Sequence, residues 1–346
     1  MLNAVDDLSF PFLLGTGGTR LIQIQSTSRC NLRCLHCYAE SSADKSDELS
    51  LKQLRGFLSE SFDMGYRYIG VSGGEPLLWR DLLDFLEFSN KVGFSTAVTT
   101  NGTLLNRDLA RKLQGLAGIV AVSVDGPPEE HAKIRQSTTA FTLMKHGLSV
   151  LRDANVPFTL SFTLTKYNAD KLSWIYDFAD KEGALGFSVH PLCAYGGAGK
   201  NLSDAVPDSY EFKISSYLLA LLMEKRGSGG PAVTMDVIKK PFIDKSCWPL
   251  ICKSAEDLSI AKFSDLVPSL VVEEDGCIVP FIYGFPRKWS VGFIDENNLW
   301  EEATKWKSAH ATSVAELLQR TLNRLQKMNI EFFDLFGELL VSAKDY

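Results

Sequence analysis

Residues Leu21–Tyr38 read LIQIQSTSRCNLRCLHCY. A short apolar run, Leu21–Gln25, leads directly into three cysteines, Cys30, Cys34 and Cys37, at spacing C-x3-C-x2-C. Open α/β sheets and barrels carry their chemistry just beyond the carboxyl ends of their strands. Thiols gathered immediately after a strand therefore mark such an end. Further strand-like runs follow at Tyr66–Val71, Ser95–Thr99, Ile119–Val124, Phe158–Thr163 and Gly186–His190. Helical spacing fills the intervals near 50–63, 80–92, 107–116, 140–153 and 169–182. Ser50 followed by Gln53 has the form of a capping box at the start of the first helix. Strand and helix in alternation imply βαβ units with right-handed crossovers and a parallel sheet. The run IVAVSV at 119–124 is apolar almost throughout, as a strand covered on both faces should be.

The 346 residues carry 36 basic and 42 acidic side chains, a net charge of −6, and no basic stripe. A nucleic-acid binder is not expected from that balance. No window approaches ~18 consecutive apolar residues, so no membrane span is expected. The opening MLNAVDDLSF lacks the basic-then-apolar layout of a secretory signal. A cytoplasmic location is the expectation. Seven cysteines in a reducing compartment are more often metal ligands or catalytic groups than disulfides.

Three thiolates can hold three irons of a [4Fe–4S] cube, which ordinarily has four cysteine ligands. The fourth iron is then open to a small molecule. Arg29 and Arg33 stand in the same loop and would favour thiolates and a more negative cluster. Two other readings compete. Positions i, i+4 and i+7 share one face of a helix, so the cysteines could be buried apolar residues. A tetrahedral zinc site needs a fourth ligand, from His36 or a remote residue.

The triplet resembles the hallmark of the radical S-adenosylmethionine (SAM) superfamily, and the resemblance covers roughly residues 20–192. His36 stands where that family usually has an aromatic residue before the third cysteine. Three further segments fit the family at the ends of later strands. Ser72-Gly73-Gly74-Glu75-Pro76-Leu77 is similar to the segment running along the amino group of SAM, with glycines allowing close approach and Glu75 a carboxylate for the ammonium. Thr99-Thr100-Asn101-Gly102 is similar to a polar segment facing SAM. Ser123-Val124-Asp125-Gly126 with His131–Arg135 resembles the pattern in which a serine and an arginine, here Ser123 and Arg135, contact the SAM carboxylate. Asp125 reads equally as a loop cap. His190-Pro191-Leu192 falls where adenine packs in relatives, although His190 also suits a core histidine. The fold class implied is α/β: a partial (βα)6 TIM-like barrel with a small C-terminal α+β extension. The activity implied is reductive cleavage of SAM to a 5′-deoxyadenosyl radical, which removes hydrogen from a substrate. The cofactors do the hard chemistry and the barrel aims it.

Beyond His190 the rhythm changes. YGGAGKNLSDAVPD reads as a loop, 208–226 as an amphipathic helix ended by RGSGGP, and 312–343 as strongly helical. Its apolar stripe is expected to pack on the barrel, partner docking being the alternative. Leu270–Pro280 reads as a hairpin turning at Glu274-Asp275-Gly276. With Val291-Gly292-Phe293-Ile294 this resembles the SPASM/Twitch extension of peptide-modifying radical SAM enzymes. Phe281 stands where that extension has a ligand cysteine, so a two-cluster arrangement is not expected. Cys193, Cys247, Cys252 and Cys277 are the four candidates for one auxiliary [4Fe–4S] cluster, the count such a site needs. Scattered cysteines are also common buried hydrophobes.

The division expected is a lead-in at 1–19, a radical SAM partial barrel at 20–195, a connecting helix and loops at 196–245, a SPASM/Twitch-like extension at 246–311 and a C-terminal helix at 312–346. The resemblance implies a ribosomally made precursor peptide as substrate, undergoing cross-linking, thioether formation, epimerisation or residue excision. It also implies an external electron donor of the flavodoxin or ferredoxin type. No leader-binding domain is expected ahead of the first strand, so a separate leader-recognition protein is expected to serve. A small-molecule substrate such as a sugar, nucleotide or cofactor precursor is the second reading. A non-catalytic iron–sulfur or zinc scaffold is the third.

Overall fold

A computed structural model of the chain describes residues 20–241, 248–252, 254–294 and 298–346. The expected lead-in at 1–19 lies outside these. Six strands form in sequence order: β1 (Leu21–Gln25), β2 (Tyr68–Ser72), β3 (Ser95–Thr100), β4 (Ile119–Ser123), β5 (Phe158–Leu164) and β6 (Gly186–Pro191). Each pairs in parallel with the next. Between them run α1 (Leu51–Asp63), α2 (Leu82–Val92), α3 (Arg107–Leu113), α4 (Pro128–Arg135), α5 (Ala140–Asp153) and α6 (Leu172–Glu182). The partial barrel expected from the alternation is therefore present. Ser50 and Gln53 close the capping box on α1, the serine hydroxyl accepting from Gln53 N while the glutamine Oε1 accepts from Ser50 N. Such a cap contributes about 1 kcal/mol to the helix it starts.

The sheet extends beyond the six expected strands at both edges. After α7 (Gly196–Asn201) and α8 (Ser209–Arg226), β7 (Ala232–Met235) adds in parallel to β6. A short β8 (Ile238–Lys239) follows, then the helical turns α9 (Pro249–Cys252), α10 (Ala255–Ile260) and α11 (Phe263–Leu266). The expected hairpin is β9 (Ser269–Val272) and β10 (Cys277–Pro280), antiparallel, with Gly276 in the left-handed region at φ 88° and the Asp275 carboxylate accepting from Cys277 N. β9 also pairs in parallel with β1, and β11 (Gly292–Phe293) pairs with β10. The sheet order is β11-β10-β9-β1-β2-β3-β4-β5-β6-β7. An unpaired β1 edge would present a row of free N–H and C=O groups; β9 covers it. All four residues of β9 are buried, which explains a run without alternation.

Two other expectations change. The glycine-rich stretch after β6 is not all loop: it forms α7 and a 3-10 turn at Ser203–Ala205. The helical stretch at 312–343 is two helices, α12 (Leu299–Lys327) and α13 (Leu335–Asp345), separated by β12 (Phe332–Phe333), which pairs with β8. Asp334 caps α13 by accepting from Gly337 N at 3.0 Å. Val314, Leu317, Leu318, Leu322 and Leu325 of α12 are buried, and the helix packs on α1, α9, α10, α11 and α13. The stripe is thus occupied within the chain. Among the described residues no helix is long and apolar enough to cross a membrane.

Candidate active site

The cysteine loop leaves β1 at Ser26 and stays non-helical through Ser42, so the three cysteines do not share a helix face. Two glycine pairs hold it from opposite sides. Gly74 N donates to Thr27 O at 2.6 Å and Glu75 N to Arg29 O at 2.8 Å. A Cβ on Gly74 would stand 2.0 Å from Arg29 O. On the other side, Gly197 N donates to Cys37 O at 2.8 Å, and a Cβ on Gly196 would stand 2.0 Å from Tyr38 O. Lys200 of α7 pairs with Glu40 of the loop. The close approach that these glycines permit is made to the loop backbone itself.

Cys30, Cys34 and Cys37 all open on one cavity of about 450 Å³ at the carboxyl end of the barrel. Each sulfur faces an N–H donor: Leu32 N to Cys30 at 3.4 Å, Arg135 Nη1 to Cys34 at 3.7 Å and Ser41 N to Cys37 at 3.4 Å. Asn101 Nδ2 lies 4.0 Å from Cys30 Sγ. Among the described residues no three His, Cys, Asp or Glu side chains converge as ligands of a single ion would. A cube asks less, because each thiolate binds its own iron. Burial pushes the Cys30 thiol up to about 12 and raises Cys34 against the nearby Arg135 guanidinium. Buried thiols of this kind give up their protons to a bound metal, and N–H donors aimed at sulfur are what tunes such a cluster. The three cysteines thus fit a [4Fe–4S] group open towards the cavity.

Arg29 and Arg33, expected to serve the thiolates, pair instead with Glu48 and Asp44. Arg135 takes that place. Its Nε donates to Asp125 Oδ2 at 2.5 Å, and His36 Nε2 lies 3.2 Å from Asp125 Oδ1. Burial opposes a charge on Asp125, yet Arg135 and then His36 hold its carboxyl well below the usual range. His131 Nδ1 accepts from Asp125 N, and burial lowers that imidazole to about 4. Asp125 is therefore the centre of a buried network behind Cys34, which a reading of it as a loop cap misses. The clue in the sequence was the clustering of His131 and Arg135 within ten residues of Asp125, with His36 in the cysteine loop.

Glu75 is fully buried, and it does not line the cavity, nor does Pro76. Its carboxylate accepts from Thr100 Oγ1 at 2.6 Å, Leu77 N at 3.1 Å and Asn101 N at 2.8 Å, tying the β2 and β3 ends together. Gly73, Gly74, Asn101, Ser123, Arg135 and His190 do line the cavity. Around them the barrel interior presents hydroxyls, among them Ser72, Thr99, Ser161, Thr163 and Ser188.

The remaining wall comes from the C-terminal half. His190 Nδ1 lies 2.6 Å from Asp236 Oδ2, and the pairing with Asp236 raises its pKa against burial. Cys193 Sγ donates to Asp334 Oδ2 at 3.5 Å, and burial raises Asp334 to about 6. Leu335, Phe336 and Leu340 of α13 and Phe281 complete this side. Phe281 has a left-handed φ of 70° and packs its ring on Trp248, Phe285 and Phe336. Of the candidate auxiliary ligands, Cys193 lines the cavity, whereas Cys277 is buried in β10 and does not. Cys252 ends α9, and Cys247 lies outside the described residues.

Residues 24–179 match the family described as the Radical SAM superfamily. An AdoMet-dependent heme synthase of Methanosarcina barkeri is 32% identical over 200 residues, 57% of this chain and 57% of that protein. The match thus spans little more than half the length of that curated relative. Two solved structures share the fold at low identity. Streptococcus suis SuiB bound to precursor peptide SuiA has a TM-score of 0.63 at 15% identity, covering 85% of this chain and 66% of that one. Native anSMEcpe with bound AdoMet has a TM-score of 0.63 at 16% identity, covering 94% and 96%. The family implies a [4Fe–4S] cluster and SAM as cofactors, which is what the cysteine loop and its cavity fit. Residues 24–179 therefore carry a radical SAM domain.

Proposed function

We propose that this protein is a radical SAM enzyme that acts on a peptide, modifying a ribosomally made precursor. The observation that carries the peptide reading is the charge of the cavity. Its only basic side chains among the described lining residues are Arg135, His36 and His190, and each is already paired with Asp125 or Asp236. With those three offset, Asp334 adds negative charge to the wall facing the substrate space. A polycarboxylate or a phosphate-rich substrate would meet repulsion there. The neutral hydroxyls and the apolar face of α13 suit an uncharged backbone and its side chains. SuiB with its bound precursor peptide supports this reading, as does the resemblance of the hairpin to a SPASM/Twitch extension.

When bound, the cluster and SAM supply a 5′-deoxyadenosyl radical that takes hydrogen from the substrate. The chain's own residues do the rest. Cys30, Cys34 and Cys37 would hold three irons, and Gly73, Gly74, Asn101, Ser123 and Arg135 line the space that SAM would take. His190 stands at the end of β6, where the adenine end of SAM would reach. Leu335, Phe336 and Leu340 exclude water from the reacting centre. An external one-electron donor of the flavodoxin or ferredoxin type and a separate leader-recognition protein complete the proposal.

A second reading, a small-molecule substrate, is favoured by the 32% identity to a heme synthase. The deciding experiment is anaerobic incubation with SAM, dithionite and a peptide encoded beside the gene, followed by mass spectrometry. Formation of 5′-deoxyadenosine with a mass change in the peptide is expected. Deoxyadenosine formed without any peptide change, but with turnover of an iron porphyrin, would establish the second reading instead.

A further inference from the structure

Six buried side-chain polar atoms among the described residues have no hydrogen-bond partner, and three of them surround the cysteine loop: Gln25 Nε2, Ser41 Oγ and His131 Nε2. Buried polar atoms are almost always paired, so each exception marks strain or an absent partner. Gln25 and His131 do not line the cavity; Ser41 does. Ser41 is 5% exposed, and its backbone N–H already points at Cys37 Sγ from 3.4 Å.

The backbone explains this placement. Glu40 sits in the left-handed region at φ 49°, and its N–H donates to Cys37 O. The chain thereby folds back so that Ser41 lies over the third cysteine. Lys200 of α7 pairs with Glu40 and holds the turn. Ser42 then bridges back to Arg29, with Cys30 N donating to Ser42 O. A left-handed non-glycine residue persists only where its surroundings fix it, and such residues gather at functional sites.

We propose that the Ser41 hydroxyl donates a hydrogen bond to the cluster at Cys37 and thereby raises its reduction potential. The inference rests on the reading of Cys30, Cys34 and Cys37 as cluster ligands. Reduction adds one electron from a low-potential donor and no proton, so the reduced cluster carries one more negative charge. A donor aimed at it favours that state over the oxidised one. Ser41 is then a positioning residue with two donors to one edge of the cluster, the amide and the hydroxyl. Nothing in the sequence pattern of the cysteines points to it.

The test is an EPR-monitored potentiometric titration of the reconstituted protein without SAM, comparing wild type, Ser41→Ala and Ser41→Thr. Iron content and the wild-type cluster signal test the underlying reading first and separately. Given a cluster, Ser41→Ala is expected to keep its iron but shift the reduction equilibrium about tenfold towards the oxidised form, about 59 mV for one electron. Ser41→Thr, which keeps the hydroxyl, is expected to restore the wild-type potential. An alanine variant that titrates with wild type overturns the proposal, as does one changed only in SAM affinity. Should the alanine variant fail to load, deuterium ENDOR on the reduced wild-type cluster decides. A coupled, fast-exchanging hydroxyl deuteron supports the assignment, and slow amide deuterons alone overturn it.

Discussion

Gly74 and Arg29 meet backbone to backbone: a side-chain carbon on the glycine would stand 2.0 Å from the arginine carbonyl oxygen. No shift of a flexible side chain can relieve that contact. Gly74→Ala is therefore expected to push the cysteine loop off β2 and to lose most of the bound iron, measured per chain after anaerobic reconstitution. Gly56→Ala is the control. Gly56 lies within α1 with nothing within 4 Å of its added carbon, and it should gain up to about 1 kcal/mol from helix propensity. Equal iron content in the two variants would show that the contact at Gly74 is dispensable.

The Asp125–Arg135 pair is buried on both sides, with side-chain exposures of 1% and 9%. Removing one partner from such a pair leaves an uncompensated charge and costs about 3–5 kcal/mol. Asp125→Ala should show this loss in urea unfolding under anaerobic conditions. The loss should be largely recovered in the double variant Asp125→Ala with Arg135→Leu, which leaves no charge stranded. Purely additive losses would mean that the two groups do not depend on each other.

Asp334 gives a pH dependence of definite sign. Its folded pKa is raised from 3.8 to about 6 by burial. The folded state therefore holds a proton that the unfolded state has released. Its contribution is fully present below about pH 4 and is lost as pH rises through about 6, on the order of 3 kcal/mol across that window. Asp334→Asn keeps a side chain that can cap α13 and removes the titration. The variant should be more stable than wild type at pH 7.5 and little different at pH 4.5, by denaturant unfolding at both values. The same difference at both pH values would refute the assignment.

Replacing Cys30, Cys34 and Cys37 together with Ala should abolish iron binding and SAM cleavage. Cys193 is engaged with Asp334 at the cavity wall, whereas Cys277 is buried in β10. Iron surviving the triple substitution would have to sit on such remote cysteines and would argue for an auxiliary cluster. The expected count is none.

The alternating half of the fold was open to reading because each βα unit is a local pattern. Ser50, Gln53 and the apolar run at 119–124 announce their roles within a few residues. β7 escaped notice because Ala232–Met235 is four residues long and follows a glycine-rich break. The pairing of β9 with β1 was not legible at all, since strand registry between distant segments leaves no mark in either. The site divides the same way. The cysteines and the Gly-Gly-Glu-Pro run were evident, but their partners were not. Glu75 turned inward to Thr100 and Asn101, and Arg135 displaced Arg29 and Arg33 as the neighbour of a sulfur. Orientation of that kind depends on which backbone groups are left unpaired once the strands are assembled.

The strand added beside β1 sets the order in which the molecule can be completed. Arg20 donates to Ser264 O across 244 residues of chain, and β9 follows just after that contact. On a ribosome adding about 5–20 residues per second, the outer border of β1 waits roughly ten to fifty seconds for its neighbour to emerge. During that interval the nascent polypeptide exposes a sticky ladder next to the cysteine loop. Cluster insertion before release from the ribosome would therefore act on an unfinished vessel, and loading after synthesis is the safer sequence of events for this architecture.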